Sequence, residues 1–183
     1  MQRTVFASAK KRLWPAGMVL LAAVVAVLAW VSRMNASRTP RVLRLPDRTE
    51  AFFLTDTRVE PAPAYPHSRE IRVDGDVFIR TPAAAAPLIV RTRLLVLTVS
   101  GDSALRITGY SKQTGEQVEV LHGHVEARKS YPSNDSTPDM LIDGEMSMIN
   151  RTIDLMEKET FDTATLRVWS EQLMAAATSS PPT

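Results

Sequence analysis

An all-β domain behind a single N-terminal transmembrane helix is the architecture this 183-residue sequence predicts, on three observations. Residues 13–32, LWPAGMVLLAAVVAVLAWVS, form one unbroken uncharged run. From Val42 to Ile149 the chain breaks into brief runs rich in Val, Ile, Leu and Thr, interrupted by Pro, Gly, Asp and Asn, the composition of many short strands joined by turns. Beyond Ile149 the apolar spacing changes to steps of three and four, which predicts a short C-terminal helix. So many short strands in one domain fit a β-solenoid or a sandwich-like fold.

Residues 1–12 carry four basic groups and no acidic one, a short cytoplasmic segment suited to anionic headgroups. The twenty residues that follow, at 1.5 Å rise, match a hydrocarbon core about 30 Å thick. A cleaved signal peptide, with Val27-Leu28-Ala29 as a loose cleavage pattern, and a buried soluble helix are the alternatives; the run exceeds the roughly 7–15 residues of a signal-peptide core. Arginines flank both ends of the span, Arg12 and Arg33 among them, so the charge rule leaves its orientation open. Residues 33–41 read as a linker in which Pro40 discourages helix.

The β domain is expected over residues 42–149. Ile71 and Val73 alternate with Arg72 and Asp74, Val77 and Ile79 resume the apolar face, and Val118, Val120 and Val125 alternate with polar neighbours. Residues 94–99 are almost continuously apolar, as for a strand covered on both sides. Asp74-Gly75, Ser100-Gly101-Asp102, Thr114-Gly115, His122-Gly123 and Asp143-Gly144 read as turns or bulges, with Gly75 and Gly123 at positive φ between strands. Prolines 61, 63, 66, 82 and 87 mark longer connections, and residues 130–139 an exposed loop. Residues 150–177 form a C-terminal extension. Within it Phe161, Ala164, Thr165, Val168, Trp169, Gln172 and Leu173 predict a helix from about Asp162, its N-cap, to Ala176, packed on the sheet through Trp169; residues 178–183 read as a disordered tail.

Catalysis finds no support in the residue pattern. His122 and His124, two apart on one strand face, with His67 as a distant third ligand and Glu126 continuing the face, are the best metal candidates, yet no cysteine or acidic ligand set accompanies them. Asp74, Asp76, Asp143 and Glu145 sit beside glycines, as turn residues do. No nucleophile elbow, phosphate-cradling loop or calcium-loop spacing occurs. Met140, Met146, Met148 and Met156 read as adaptable core filling. The expectation is a non-enzymatic chain with no catalytic, cofactor-binding or metal-binding residues. Beyond residue 12 there are 18 basic against 20 acidic residues, a net of −2, which argues against a nucleic-acid partner.

Six segments in order, VLRLPDRTEAFFLTDTRV, REIRVDGDVFIR, PLIVRT, VSGDSALRITGY, VEVLHGHVEA and MLIDGEMSMI, resemble the extracytoplasmic domain of the FecR family. Leu45-Pro46-Asp47 matches the family's opening, with Arg48 where glycine is usual and Thr49 where serine is. Gly75-Asp76 stands for Gly-Glu and Pro87-Leu88 for Pro-Phe, while Val90 and Thr92 match. Asp102 follows Gly101 in place of threonine, and one inserted residue precedes Leu105, Ile107 and Tyr110. Val120, Gly123, Val125, Leu141, Gly144 and Glu145 fit.

The resemblance implies a membrane-bound regulator of iron-siderophore type signalling. Such a protein has its N-terminus in the cytoplasm, one span in the bacterial inner membrane and its β domain in the periplasm. Its partners would be a TonB-dependent transducer and an anti-sigma or sigma component. Residues 1–12 are too short to occlude a sigma factor, which takes roughly 800 Å² per partner, so the chain is expected to be a reduced sensor, an accessory subunit, or the outer half of a system whose anti-sigma or sigma component is a separate protein. The alternative is a structural or assembly module of the cell envelope that uses its strand edges and has no signalling role.

Overall fold

The computed structural model describes residues 39–179, and within them ten strands and one helix. In chain order these are β1 (Pro40–Arg44), β2 (Glu50–Leu54), β3 (Arg58–Pro61), β4 (Glu70–Thr81), β5 (Leu88–Arg91), β6 (Leu95–Gly109), β7 (Gly115–Lys129), β8 (Asp139–Leu141), β9 (Glu145–Asn150), β10 (Leu155–Thr160) and α1 (Thr163–Ser179). The all-β expectation with a C-terminal helix holds. The predicted cytoplasmic segment and transmembrane helix, residues 1–32, lie outside the described residues, as do most of the linker and residues 180–183. Among the described residues no helix is long and apolar enough to cross a membrane.

All ten strands belong to one hydrogen-bonded sheet with the path β1-β2-β4-β5-β6-β7-β9-β10, to which β3 adds on β4 and β8 on β7. Pairing is antiparallel except between β4 and β5. Three long strands change partners partway. β4 pairs with β3 and β5 over residues 70–74 and with β2 and β6 over residues 75–81. β6 pairs with β5 before Ser100 and with β4 after Gly101, and β7 pairs first with β9 and then with β8. The sheet therefore folds over as a sandwich whose two layers share strands, and one continuous core lies between them, from Ile71, Leu97 and Val125 to Ile79, Ile107 and Val118.

The strands bend where they switch layers, and glycine makes each bend. Gly75, Gly101 and Gly123 have φ of 137°, 70° and 103°. A Cβ on Gly123 would lie 2.1 Å from Ser103 Oγ, and one on Gly75 would lie 2.4 Å from Thr57 Oγ1, so close backbone approach excludes any side chain at both. The positive φ expected at Gly75 and Gly123 is present, but these are bends within continuous strands rather than turns between them. A strand serving two layers needs an internal bulge, and the register of β6 against β7 slips between Ser100 and Leu105. Asp143-Gly144, by contrast, does form a turn, between β8 and β9.

The sheet also runs past residue 149, since β10 pairs with β9 along its whole length. Helix α1 starts where expected, with Asp162 Oδ1 accepting the Ala164 N–H at 3.0 Å as an N-cap, and continues to Ser179. Its buried stripe differs from the predicted one. Leu166, Ser170, Leu173 and Ala177 face the sheet, whereas Val168 is 54% exposed and Ala164, Thr165 and Gln172 face outward. Ser170 tolerates the buried face because its hydroxyl donates to the Arg167 carbonyl at 2.9 Å, a bond that apolar periodicity cannot reveal. The methionines also differ from the core reading. Met156 packs on the core, but Met140 is 59% exposed and Met146 and Met148 lie half-buried on the outer face.

Candidate functional site

His122 and His124 straddle the β7 bend and are exposed. With Ser100, Gly101, Asp102 and Asp143 they line a shallow hollow. Asp143 organises it: Oδ2 lies 3.0 Å from His122 Nδ1, and Oδ1 accepts the Gly123 N–H at 2.7 Å. The His122 bond, then the Gly123 N–H, holds the Asp143 carboxyl below the usual range. His67 lies elsewhere, in the exposed connection between β3 and β4, and Glu126 pairs with Arg128. Among the described residues no three His, Cys, Asp or Glu side chains converge on a metal position. The hollow is a capped strand bend.

The Leu45-Pro46-Asp47 opening builds a buried polar knot. Asp47 accepts from the Thr49 N–H at 3.1 Å, from Thr49 Oγ1 at 3.0 Å and from Arg69 Nε at 2.8 Å. Arg69 also donates to Thr81 Oγ1 at 2.9 Å and to the Ala86 carbonyl. Burial alone would raise the Asp47 carboxyl, but the neighbouring Tyr65 hydroxyl and the donors of Thr49 and Arg69 outweigh it and hold the group low. Burial, then the neighbouring Asp47, pushes the Tyr65 hydroxyl up to about 12. Arg48, at the position where the FecR resemblance would have glycine, has φ 68°, the conformation a glycine there would adopt without strain. The knot ties β2, β4 and the loops around them, so the motif reads as structural.

The sequence did not reveal a row of side chains running across the outer face. Cross-strand register aligns Val42, Phe52, Phe78, Arg106, Glu119, Met146 and Glu159 on seven successive strands. α1 covers the first part of this row. Trp169 packs edge-on against Phe78, with ring centroids 6.3 Å apart, and the Arg106 guanidinium lies 4.0 Å from the Trp169 ring centre. Phe52, Phe78, Leu173 and Ala177 make a second small core beneath the helix.

Arg106 sits at the margin of that cover. Its Nε and Nη2 donate to the two Asp76 oxygens at 2.9 and 2.7 Å, and Nη1 lies 3.7 Å from Glu119. The Asp76 bonds hold the guanidinium above its ordinary value, and burial raises the Glu119 carboxyl although Arg106 opposes it. The guanidinium is fixed by its two bonds to Asp76 and lies between the Asp76 and Glu119 carboxylates. Beyond Glu119 the row is open, with Met146, Met148, Leu155, Glu157 and Glu159 on the surface near the sheet's edge. Residues 106, 119, 146 and 159 have no common period, so only strand register could have brought them together.

No family model matches the sequence, and no curated protein does. Two crystal structures of a protein from Parabacteroides distasonis, described as a "putative anti-sigma factor", superpose with TM-scores of 0.63 and 0.61. Both are 22% identical to this chain over the matched region, which covers 72% of this chain and 60% of theirs. The chain therefore spans about three-fifths of the length of those proteins, and what it shares with them is the fold.

Proposed function

We propose that this chain is a membrane-anchored, non-enzymatic signalling protein of the FecR type, which relays an envelope signal through a periplasmic β domain. The observation that carries the reading is the shared fold with the Parabacteroides distasonis protein described as a "putative anti-sigma factor". Its support is the six ordered segments of family resemblance over the same strands and the uncharged run at residues 13–32. The iron-siderophore signal, the TonB-dependent transducer and a separate anti-sigma or sigma component belong to the same proposal.

Two measurements test it. A C-terminal tag on the chain should be cut by protease in intact spheroplasts; a tag protected until lysis would refute the topology. Deletion, with complementation by the wild-type chain, should reversibly change transcription of a sigma-dependent promoter set under iron limitation. Unchanged transcription accompanied by an envelope defect would favour the assembly role instead.

A further inference from the structure

We propose that the free edge of β10 is a docking site for an extended segment of another protein, one that alternates basic and apolar side chains and adds to the sheet as an eleventh strand. The inference stands apart from the signalling reading, since an assembly role would use the same edge.

The backbone supplies the first argument. β10 ends the strand path and pairs with β9 alone among the described residues. The bond from the Phe161 N–H to the Gly144 carbonyl, 3.0 Å, continues the β9–β10 ladder, and Arg151 N–H to Thr114 O fixes the same alternation on the far side of β9. Odd-numbered residues of β10 therefore bond to β9, and Met156, Lys158 and Thr160 turn their N–H and C=O groups to the open side. Such a row is a template for strand addition.

The side chains define the occupant. Leu155, Glu157 and Glu159 alternate on the outer face of β10, and a shallow groove of about 420 Å³ beside them is lined by Thr108, Gln117, Met148, Ile153, Leu155 and Glu157. Ile153 is 64% and Leu155 41% exposed. Lys158, on the other face, is held by Glu145 at 3.3 Å, whereas Glu157 and Glu159 have no ion-pair partner among the described residues. An added strand would bring alternate side chains alongside these two carboxylates, where Lys or Arg would be favoured and Asp or Glu repelled. Other edges are blunted. β1 begins at Pro40 and lies against α1, β3 ends at Pro61, and β8 is three residues long.

The test uses the full chain in detergent micelles and a fluorescein-labelled peptide of about eight residues alternating Val and Lys, with a Val–Glu peptide of equal length as control. Saturable binding of the Val–Lys peptide is expected, with hydrogen exchange slowed at the amides of Met156, Lys158 and Thr160. The Val–Glu peptide should bind at least about tenfold more weakly, and Glu157→Lys with Glu159→Lys should reverse that preference. Lys158→Pro removes an outward N–H without breaking the β9 ladder and should weaken binding at least about tenfold, whereas Lys158→Ala, which keeps the N–H, should not. Equal affinity for both peptides, equal loss with Ala and Pro, or unprotected β10 amides would overturn the proposal. So would self-association of the chain that the double Lys variant abolishes, which would assign the edge to a second copy.

Discussion

The two ends of the outer-face row are built from the same strands in the same register, yet one is a small core and the other is surface. At the β1–β4 end, Val42, Phe52 and Phe78 are apolar and α1 lies over them. At the β7–β10 end, Glu119, Met146 and Glu159 alternate charge and thioether, and no element of the described chain covers them. Arg106 is the boundary, with Trp169 on one side and Glu119 on the other. Aromatic side chains on a sheet face call for a cover because their burial is worth about 1.5–3 kcal/mol each, whereas methionine with flanking carboxylates tolerates water and can accept a varied partner.

If the covered end is a true core, Phe78→Ala should be the most damaging change in the row. We expect a loss of about 3–5 kcal/mol in denaturant midpoint experiments and the disappearance of the Trp169 near-ultraviolet signal. A loss below about 1 kcal/mol would mean that α1 does not depend on this contact. Arg106→Met should come next, at about 1.5–3 kcal/mol, because it leaves the half-buried Asp76 and Glu119 carboxylates without their donor. Sparing of the stability would show that the boundary is packed by the arginine stem alone.

Glu119 gives the boundary a pH signature. Its carboxyl is raised in the fold from the ordinary 4.5, so the folded chain holds that proton more tightly than the unfolded one. Its contribution is then fully present below about 4.5 and is lost as pH rises through the folded value. Glu119→Gln relative to wild type should therefore become more favourable between about pH 4 and pH 7 in urea titrations; a difference independent of pH would contradict the burial argument. Smallest of all, Met146→Ala and Glu159→Ala at the open end should change stability by less than about 0.5 kcal/mol, and a larger loss would reveal a contact within the chain that the row does not show.

What was legible in the sequence followed from local chemistry. Period two placed Val118 and Val120 on the core face, Asp162 announced the helix start, and glycine marked positions 75 and 123 as needing positive φ. What stayed hidden depended on partners far along the chain. Local sequence does not separate a bulge at Gly75 or Gly123 from a turn, because a strand that continues through a glycine looks locally like one that ends there. Ser170 hid the true face of α1, and Arg48 sat in a glycine's conformation without a glycine's signature. The Asp47–Arg69 pair joins residues 22 apart and the Arg106–Asp76 pair residues 30 apart, separations that no periodicity encodes.

β4, β6 and β7 each run through both layers, and this governs how the fold can come apart. A layer that borrows half its strands from the other has no complete set of its own, so neither can open while its neighbour stays closed. Unfolding should then be one cooperative event despite the two-layered form, with the slowest-exchanging amides of both layers reporting the same free energy. The corollary is kinetic: the chain must bring together segments as distant as β2 and β4, or β4 and β6, before either layer gains much, so folding should be slow for a domain of this size.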